Sequence, residues 1–527
     1  MHKEALQLLW LPVIFKTEMD KSWMFAGQCY QSLRASCLEE GQLFIDSEFP
    51  QTRFDSEVEW KRPPEFCQNP KFIESGARTT DICQGELGDC WLLASIASLT
   101  LHPTLLSQVV PEDQTFCPRQ GYCGIFRFNL WRFGDWVEVV VDDTLPTRRG
   151  QLLYTKSDTR GEMWSALLEK AYAKVCGGYP ALQGGAIPEA LEDFTGGIAE
   201  SVSVSRQNVE EIWETISQAE EDEALMGCYI QVSETADVGR INEEGLVLGH
   251  AYSVIAARKV SEHSIAHPPT PYICNSPLHR LSNPSLLQVR TKSGEVHLLR
   301  LRNPWGFTEY NGPWSDRSRD WESVSESERR ELNLQKEDGE FWMLCKEFCS
   351  VFTLLVVCRI NLDPSCWSIT SLSGRWQSGV NAGGGRRLKS FFSNPQFRLL
   401  IDGVSHLEEE ANSAQGEERA EEGITGRQVL LQLLQTSGGT KKLHIACHLY
   451  KVPEALSSRP RLDRGFFTRS RPVCDTGDPQ NSRGVVLRAR LDPGEYVIVP
   501  STHDANEEGN FLIRICCEKG NVRREDE

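Results

Sequence analysis

Gln84-Gly85-Glu86-Leu87-Gly88-Asp89-Cys90-Trp91 runs straight into the helix-forming stretch Trp91–Leu99, WLLASIASL. A thiol at the start of a helix faces the positive end of the macrodipole, which favours thiolate. Glycines at 85 and 88 would let the backbone approach a substrate closely. Gln84, six residues upstream of Cys90, offers a side-chain N–H to the carbonyl that the Cys90 backbone N–H would also reach. Together they read as an oxyanion hole. A lone cysteine is ordinarily a buried structural thiol; the glutamine, the glycines and the helix start make this one a candidate nucleophile.

A nucleophilic thiol needs a base and a group that orients the base. Among eleven histidines, His250 stands in Gly-Leu-Val-Leu-Gly-His-Ala-Tyr-Ser-Val (245–254), at the head of an apolar strand. The others, among them His102, His263, His267 and His279, lie in polar or proline-rich surroundings and read as surface residues. Leu301-Arg302-Asn303-Pro304-Trp305-Gly306 then places an asparagine at a strand end, shielded by Trp305. Such an asparagine accepts from the imidazole and fixes its tautomer. Cys90, His250 and Asn303, in that order, follow the papain-type triad logic. The Cys-to-His separation of 160 residues exceeds the roughly 130–150 typical of papain-like enzymes.

The chain around these motifs has 527 residues, a length that implies roughly three domains at about 150 residues each. The net charge of −18 argues against a nucleic-acid binder, which needs a basic footprint. The eighteen cysteines are scattered without CxxC spacing, only Cys516 and Cys517 being adjacent, and read mostly as reduced, buried thiols of a cytoplasmic protein. Leu6–Phe15 is apolar but too short to span a bilayer, Pro12 breaks it, and no small-residue cleavage site follows.

The first third has α+β patterning. Phe126, Phe128 and Leu130 alternate with polar neighbours, and Trp136–Val141 is rich in β-branched residues. Trp164, Leu167, Leu168, Ala171, Tyr172 and Val175 form one apolar helix face. Phe194-Thr-Gly-Gly197 marks a lobe boundary, and further strands are expected around His250–Ile255 and Leu298–Leu301. Ser261–Gly294 reads as a surface loop or insertion. From about Cys366 the pattern is all-β, with Leu443, Ile445, Cys447 and Leu449 alternating and Tyr496–Val499 and Phe511–Cys516 as strands. Glu408–Glu422 reads as a solvated acidic loop; the alternative is an element that senses cations or a basic surface.

QGELGDCW, GLVLGHAYSV and RNPWGFTEYNGPWSD closely resemble the signature blocks of the calpain family, calcium-dependent intracellular cysteine proteases. LEKAYAK (168–174), EDFTGG (192–197), EDGEFWM (337–343), NPQFRL (394–399) and PGEYVIVPST (493–502) match as well, so the resemblance runs from about Gly27 to Cys517. It implies an α+β, two-lobed papain-like cysteine protease core followed by an all-β C2-like sandwich. The implied division is an N-terminal segment 1–43, a Cys lobe 44–197, a His/Asn lobe 198–360, a C2-like domain 364–517 and a polar tail 518–527.

The resemblance also implies two calcium ions, one in each lobe. The matching ligands are Glu74 and Gly76 through carbonyls with Asp81 and Glu162 through carboxylates, then Glu309, Asp316, Asp338 and Glu340 with the carbonyl of Lys336. Calcium takes six to eight oxygens in a flexible cage, and Asp338-Gly-Glu340 sets two carboxylates around a glycine. In the family a tryptophan matching Trp305 obstructs the cleft until calcium realigns the lobes.

The chain departs from the family pattern in several places. The usual Ala-Thr-Arg-Thr-Asp reads Ala77-Arg78-Thr79-Thr80-Asp81, displacing an arginine that in the family couples the lobes through the carboxylate matching Glu340. The 261–294 stretch is longer than the family's connection, and the usual Glu-Trp pair is Glu309-Tyr310. No EF-hand loop of the form D-x-[DN]-x-[DN]-G is found, so pairing through a penta-EF-hand domain is not expected from this chain. The expected activity is limited proteolysis of protein substrates. The alternatives are a catalytically idle regulatory or scaffold protein, or a protein whose β-domain docks on phospholipid or partners through Arg386-Arg387-Leu388-Lys389. Transglutaminases share Cys-His-acid chemistry, but Asn303 and the GDCW block favour the protease.

Overall fold

The computed structural model describes residues 23–49, 57–260, 296–324, 332, 338–360, 367–401, 426–436 and 442–519. Leu6–Phe15, Ser261–Gly294, Glu408–Glu422 and Lys336 lie outside them. The chain divides into two compact units, the first over Trp23–Asn361 and the second from Leu362 onward.

The N-terminal half of the first unit is built around three helices, Cys90–Leu99, Trp164–Cys176 and Ile187–Thr195. Antiparallel strands Ile125–Arg132 and Asp135–Asp142 pack beside them. The Cys90–Leu99 helix is buried at every position from Trp91 to Leu99, as its nearly unbroken apolar run dictates. Trp164–Cys176 departs from the expected one-sided pattern. Glu169, Lys170 and Lys174 are as buried as Leu167 and Tyr172. The reason is partnering: Lys170 Nζ donates to Asp142 Oδ1 at 2.5 Å and to the carbonyls of Asp142 and Thr144 at 2.9 and 2.7 Å. Lys174 Nζ donates to Asp46 Oδ2 at 2.6 Å and to Val140 O at 2.7 Å. Buried charge is tolerated when it is paired and hydrogen-bonded.

Ile187–Thr195 ends at Gly196, whose φ of 67° is the left-handed cap that favours glycine, and the chain turns into strand Ile198–Ser203. That strand is the edge of a six-stranded antiparallel sheet. Its order is Glu340–Leu344, Val296–Arg302, Ala251–Val260, Leu225–Tyr229, Leu354–Arg359 and Ile198–Ser203. Its apolar side chains form a core with Ile212 and Ile216 of helix Val209–Glu221 and Phe348 of helix Cys345–Val351.

The Cys90–Leu99 helix lies against this sheet. Ser253 Oγ donates to Ala94 O and Ser98 Oγ to Met226 O, both at 2.8 Å. Leu225, Ala251 and Val356 of the sheet share the helical lobe's core. The seam therefore runs between the first residue of the helix and the first residues of strand Ala251–Val260.

The second unit is a sandwich of two antiparallel sheets. One runs Trp367–Trp376, Gly509–Glu518, Arg427–Gln435, Gly484–Leu491; the other pairs Phe397–Ile401, Gly494–Thr502, His444–Lys451 and Cys474–Asp475. The expected alternation holds for Ile445, Cys447 and Leu449, which enter the core between the sheets. His448, expected at the surface, is buried instead. Phe391 covers its ring at 5.2 Å between centroids, and Nε2 lies 3.2 Å from Ser501 Oγ.

Candidate active site

Cys90 is the first residue of its helix and the one that stays partly exposed. Asp89 precedes it at the N-cap, yet its side chain makes no cap bond. Helix position alone favours thiolate, but burial dominates and pushes the thiol up to about 11. The Asp89 charge adds to the rise, while N–H groups of Ala251, Trp91 and Cys90 itself oppose it without prevailing. In this conformation Cys90 is a thiol, contrary to the expectation from the dipole.

His250, just before strand Ala251–Val260, and Asn303, just after its antiparallel neighbour Val296–Arg302, come together. His250 Nε2 lies 2.9 Å from Asn303 Oδ1. The asparagine amide has one orientation open to it: Nδ2 donates to Phe307 O at 3.1 Å and Thr308 O at 2.9 Å. Oδ1 also accepts the Trp305 N–H at 3.0 Å. An oxygen that only accepts requires the proton on Nε2. Nδ1 is thereby left as the basic nitrogen. Burial lowers the His250 pKa to about 4, so the ring is neutral. Trp305 packs over it with centroids 5.1 Å apart. Among the described hydrogen bonds none joins His250 to Cys90; the sulfur meets the Ala251 N–H, one residue along the strand.

Gln84 stands beside Cys90 and crosses the seam through its backbone, its N–H donating to Pro304 O at 2.8 Å. Its Nε2 donates to Leu87 O at 2.6 Å and to Asp89 Oδ1 at 3.3 Å, so both amide hydrogens are used. The glycines serve a purpose other than the expected one. A Cβ at Gly85 would stand 2.4 Å from the carbonyl oxygens of Leu153 and Tyr154, and one at Gly88 would stand 2.5 Å from Gln183 Nε2. The space they save is filled by the chain's own loops.

Of the calcium candidates, Asp81 and Glu162 are adjacent. Ser157 Oγ donates to Glu162 Oε2 at 2.7 Å and to Asp81 Oδ1 at 3.1 Å, with Thr159 Oγ1 3.3 Å from the same Asp81 oxygen. The Glu74 N–H donates to Glu162 Oε1 at 2.8 Å, while the Glu74 carboxylate pairs with Lys71. Gly76 is exposed in the adjoining turn. A cleft of about 610 Å³ opens beside Glu74, Ser157 and Glu162. Burial, then the nearby Asp81 charge, raises the Glu162 carboxyl to about 7.

In the sheet lobe a cleft of about 760 Å³ is lined by Glu309, Asp316 and Asp320. Glu309 Oε1 accepts from Gly339 N at 3.0 Å, and burial with the charges of Asp316 and Asp338 raises it to about 7. Asp338 Oδ1 accepts from Glu340 N at 3.1 Å. The Glu340 carboxylate belongs elsewhere. Arg300 holds one oxygen at 2.6 Å and the Thr79 hydroxyl the other, also at 2.6 Å. Thr79 thus stands where the resemblance expected the displaced arginine, and at this carboxylate the contact between the lobes is made by a hydroxyl. Among the described residues no three His, Cys, Asp or Glu side chains converge as a metal centre. The acidic oxygens at both clefts have the hard donor chemistry that calcium takes, except for the engaged carboxylate of Glu340.

Fold and site together define a papain-like cysteine protease core followed by a C2-like β-sandwich. Comparison with known proteins agrees. Residues 38–359 match the calpain family cysteine protease and residues 372–516 match calpain large subunit, domain III. The calpain-1 catalytic subunit of Rattus norvegicus is 41% identical over 524 residues, covering 94% of this chain and 67% of that protein. The calpain-1 catalytic subunit of Homo sapiens is 40% identical over 535 residues, 95% and 69% of the two chains. The calpain-2 catalytic subunit of Bos taurus is 40% identical over 530 residues, again 95% and 69%. The chain belongs to the calpain family.

Proposed function

We propose that this chain is a calcium-activated cysteine endopeptidase of the cytoplasm that makes limited cuts in protein substrates. The observation that carries the reading is the His250–Asn303 pair. Its fixed tautomer leaves Nδ1 as a base, at the head of the strand whose next residue, Ala251, touches the Cys90 sulfur. Family membership supports the endopeptidase class. We assign the lobes to 44–197 and 198–360 and the β-domain to 364–517, with contact to phospholipid or a membrane surface as an added property of the latter.

In the active alignment Nδ1 of His250 takes the Cys90 proton as sulfur attacks the scissile carbonyl. The Cys90 N–H and one Gln84 Nε2–H stabilise the oxyanion. The imidazolium returns its proton to the departing amine, leaving a thioester. Water then attacks the thioester, giving its proton to Nδ1; the acid leaves and the thiol is restored. Asn303 keeps Nε2 protonated throughout. Glu162 and Asp81, with the carbonyls of Glu74 and Gly76, would hold one calcium ion. Glu309, Asp316 and Asp338, with the carbonyl of Lys336, would hold the other. Bound there, calcium supplies positive charge that offsets crowded carboxylates.

In the resting arrangement the protonated thiol and neutral imidazole share no hydrogen bond, which suits an enzyme held inactive until its lobes realign. The deciding assay is cleavage of casein or a fluorogenic peptide by the purified chain with and without calcium, beside Cys90→Ser. Calcium-dependent cleavage that the substitution reduces by on the order of 10³-fold or more supports the reading. No cleavage, and no labelling of Cys90 by an epoxide thiol probe, leaves the idle-scaffold alternative in its place.

A further inference from the structure

Behind the nucleophile lies a pair of carboxyl groups that the steps above do not use. Asp89 and Glu169 are 0% and 1% exposed, and they face each other. Asp89 occupies a helix N-cap, where an aspartate usually accepts from the first turn of amides. Here it makes no such bond and is turned toward the Gln84 amide instead, accepting from Nε2 at 3.3 Å. Its second oxygen, Oδ2, is buried and meets no N–H or O–H donor of the described residues. Glu169 has the opposite arrangement. Its Oε1 accepts the Thr155 hydroxyl at 2.5 Å, and the Thr155 N–H is shared between Oε1 at 3.2 Å and Oε2 at 3.3 Å. A proton carried by the carboxyl that faces it would supply the donor missing at Asp89 Oδ2.

We propose that Asp89 and Glu169 share one proton and act as a positioning pair, with Asp89 orienting the Gln84 amide that completes the oxyanion hole. The inference rests on the endopeptidase reading. Both carboxyls are raised, Asp89 to about 6 and Glu169 further, with burial the first cause in each, as a singly charged pair requires. Gln84 spends one hydrogen on Leu87 O at 2.6 Å and the other on Asp89 at the longer 3.3 Å. When an oxyanion forms, the bond to Asp89 is kept and the hydrogen spent on Leu87 O turns to the oxyanion. Tyr154 and Tyr179 are the phenols that sense the charges of the pair, and the thiol of Cys90 senses Asp89. The charges of Arg148 and Glu86 reach Tyr154 from the adjoining strand and turn.

The test measures kcat and KM for a fluorogenic peptide in calcium, and in parallel the rate at which iodoacetamide alkylates Cys90. Alkylation is a direct displacement with no oxyanion, so it reports the thiol without the hole. Asp89→Ala is expected to lower kcat about tenfold with KM within twofold and alkylation within threefold. On a Gln84→Ala background the same substitution is expected to add less than twofold, because it acts through that amide. Glu169→Leu is expected to match Asp89→Ala, and Glu169→Gln, which restores a donor toward Asp89, to recover most of the loss. Full additivity with Gln84→Ala, or equal loss of cleavage and alkylation, overturns the proposal. A wild-type chain that alkylates but does not cleave overturns the endopeptidase reading first, and the positioning role with it.

Discussion

The helical and sheet lobes bury polar groups in opposite ways. In the helical lobe, charged side chains reach the centre. Lys170 and Lys174 are sunk among carbonyls and aspartates, Arg62 pairs with Asp143, and Arg132 with Asp193 at 2.7 Å. The sheet lobe keeps an apolar core; of its buried polar groups His250, Arg302, Asn303 and Glu340 stand at strand ends, Ser253 within a strand and Ser315 in a loop. The difference follows from the backbone. A six-stranded ladder satisfies its own N–H and C=O groups. Strand Asp135–Asp142 is paired on both sides only at Val137 and Glu138, so the carbonyls of Val140 and Asp142, and of Thr144 just beyond, are left to be met by side chains, and the lysines meet them. Each lobe then presents what its construction does well: a helix start carries the Cys90 thiol, and strand ends carry the His250–Asn303 pair.

Four measurements break or sharpen that contrast. The largest effect is expected from Lys170→Met, which leaves Asp142 buried without its cation and should cost about 3–5 kcal/mol in urea unfolding. A loss below about 1 kcal/mol would mean that the helical lobe does not depend on its buried ions.

The next concerns pH. His250 is held near 4 against an ordinary 6.5, so between those values the unfolded chain binds the proton that the folded ring refuses. Stability is complete above about 6.5 and falls as the pH drops toward 4, by of order 3 kcal/mol from this site. His250→Asn should flatten the slope relative to wild type in unfolding measured from pH 4.5 to 7; an unchanged slope places the titration elsewhere.

Asn303→Ala removes the acceptor that fixes the Nε2 tautomer. Cleavage should fall by about 10²-fold in kcat with little change in iodoacetamide alkylation of Cys90. The smallest effect belongs to the seam. Thr79→Val deletes one hydroxyl bond to Glu340 and should cost about 1 kcal/mol while unfolding stays a single transition. Separate transitions for the two lobes in this variant would show that this one contact joins them.

Much of the architecture was legible beforehand because local pattern and local structure coincide there. The strands at Ile125–Arg132, Asp135–Asp142 and Val296–Arg302, and the helix begun by Cys90, follow from alternation and apolar runs that need no distant partner. The inward turn of Lys170, Lys174 and Glu169 was not legible. Their place on the helix wheel is a polar face, and the partners that make burial tolerable come from residues as far off as Asp46, 128 positions away. The same holds for His448, whose cover is supplied by Phe391 and Ser501 rather than by its neighbours in the strand.

At the site, which residues would meet was readable: the His250–Asn303 pair forms as its motifs implied, and Gln84 reaches the residue before Cys90. Charge state was not readable. A helix start favours thiolate, but the cost of burying that charge is set by what packs over the sulfur, and burial wins. Likewise, sequence placed Glu340 among the acidic ligands. The fold gives its carboxylate to Arg300 and to Thr79, 261 residues earlier in the chain. What the sequence by itself determined is the set of candidate groups and the elements that carry them, because hydrophobic period and turn chemistry act over a few residues. What only the tertiary structure decided is which groups are charged and which carboxylates are already taken. Desolvation and pairing depend on neighbours that folding brings from far along the chain.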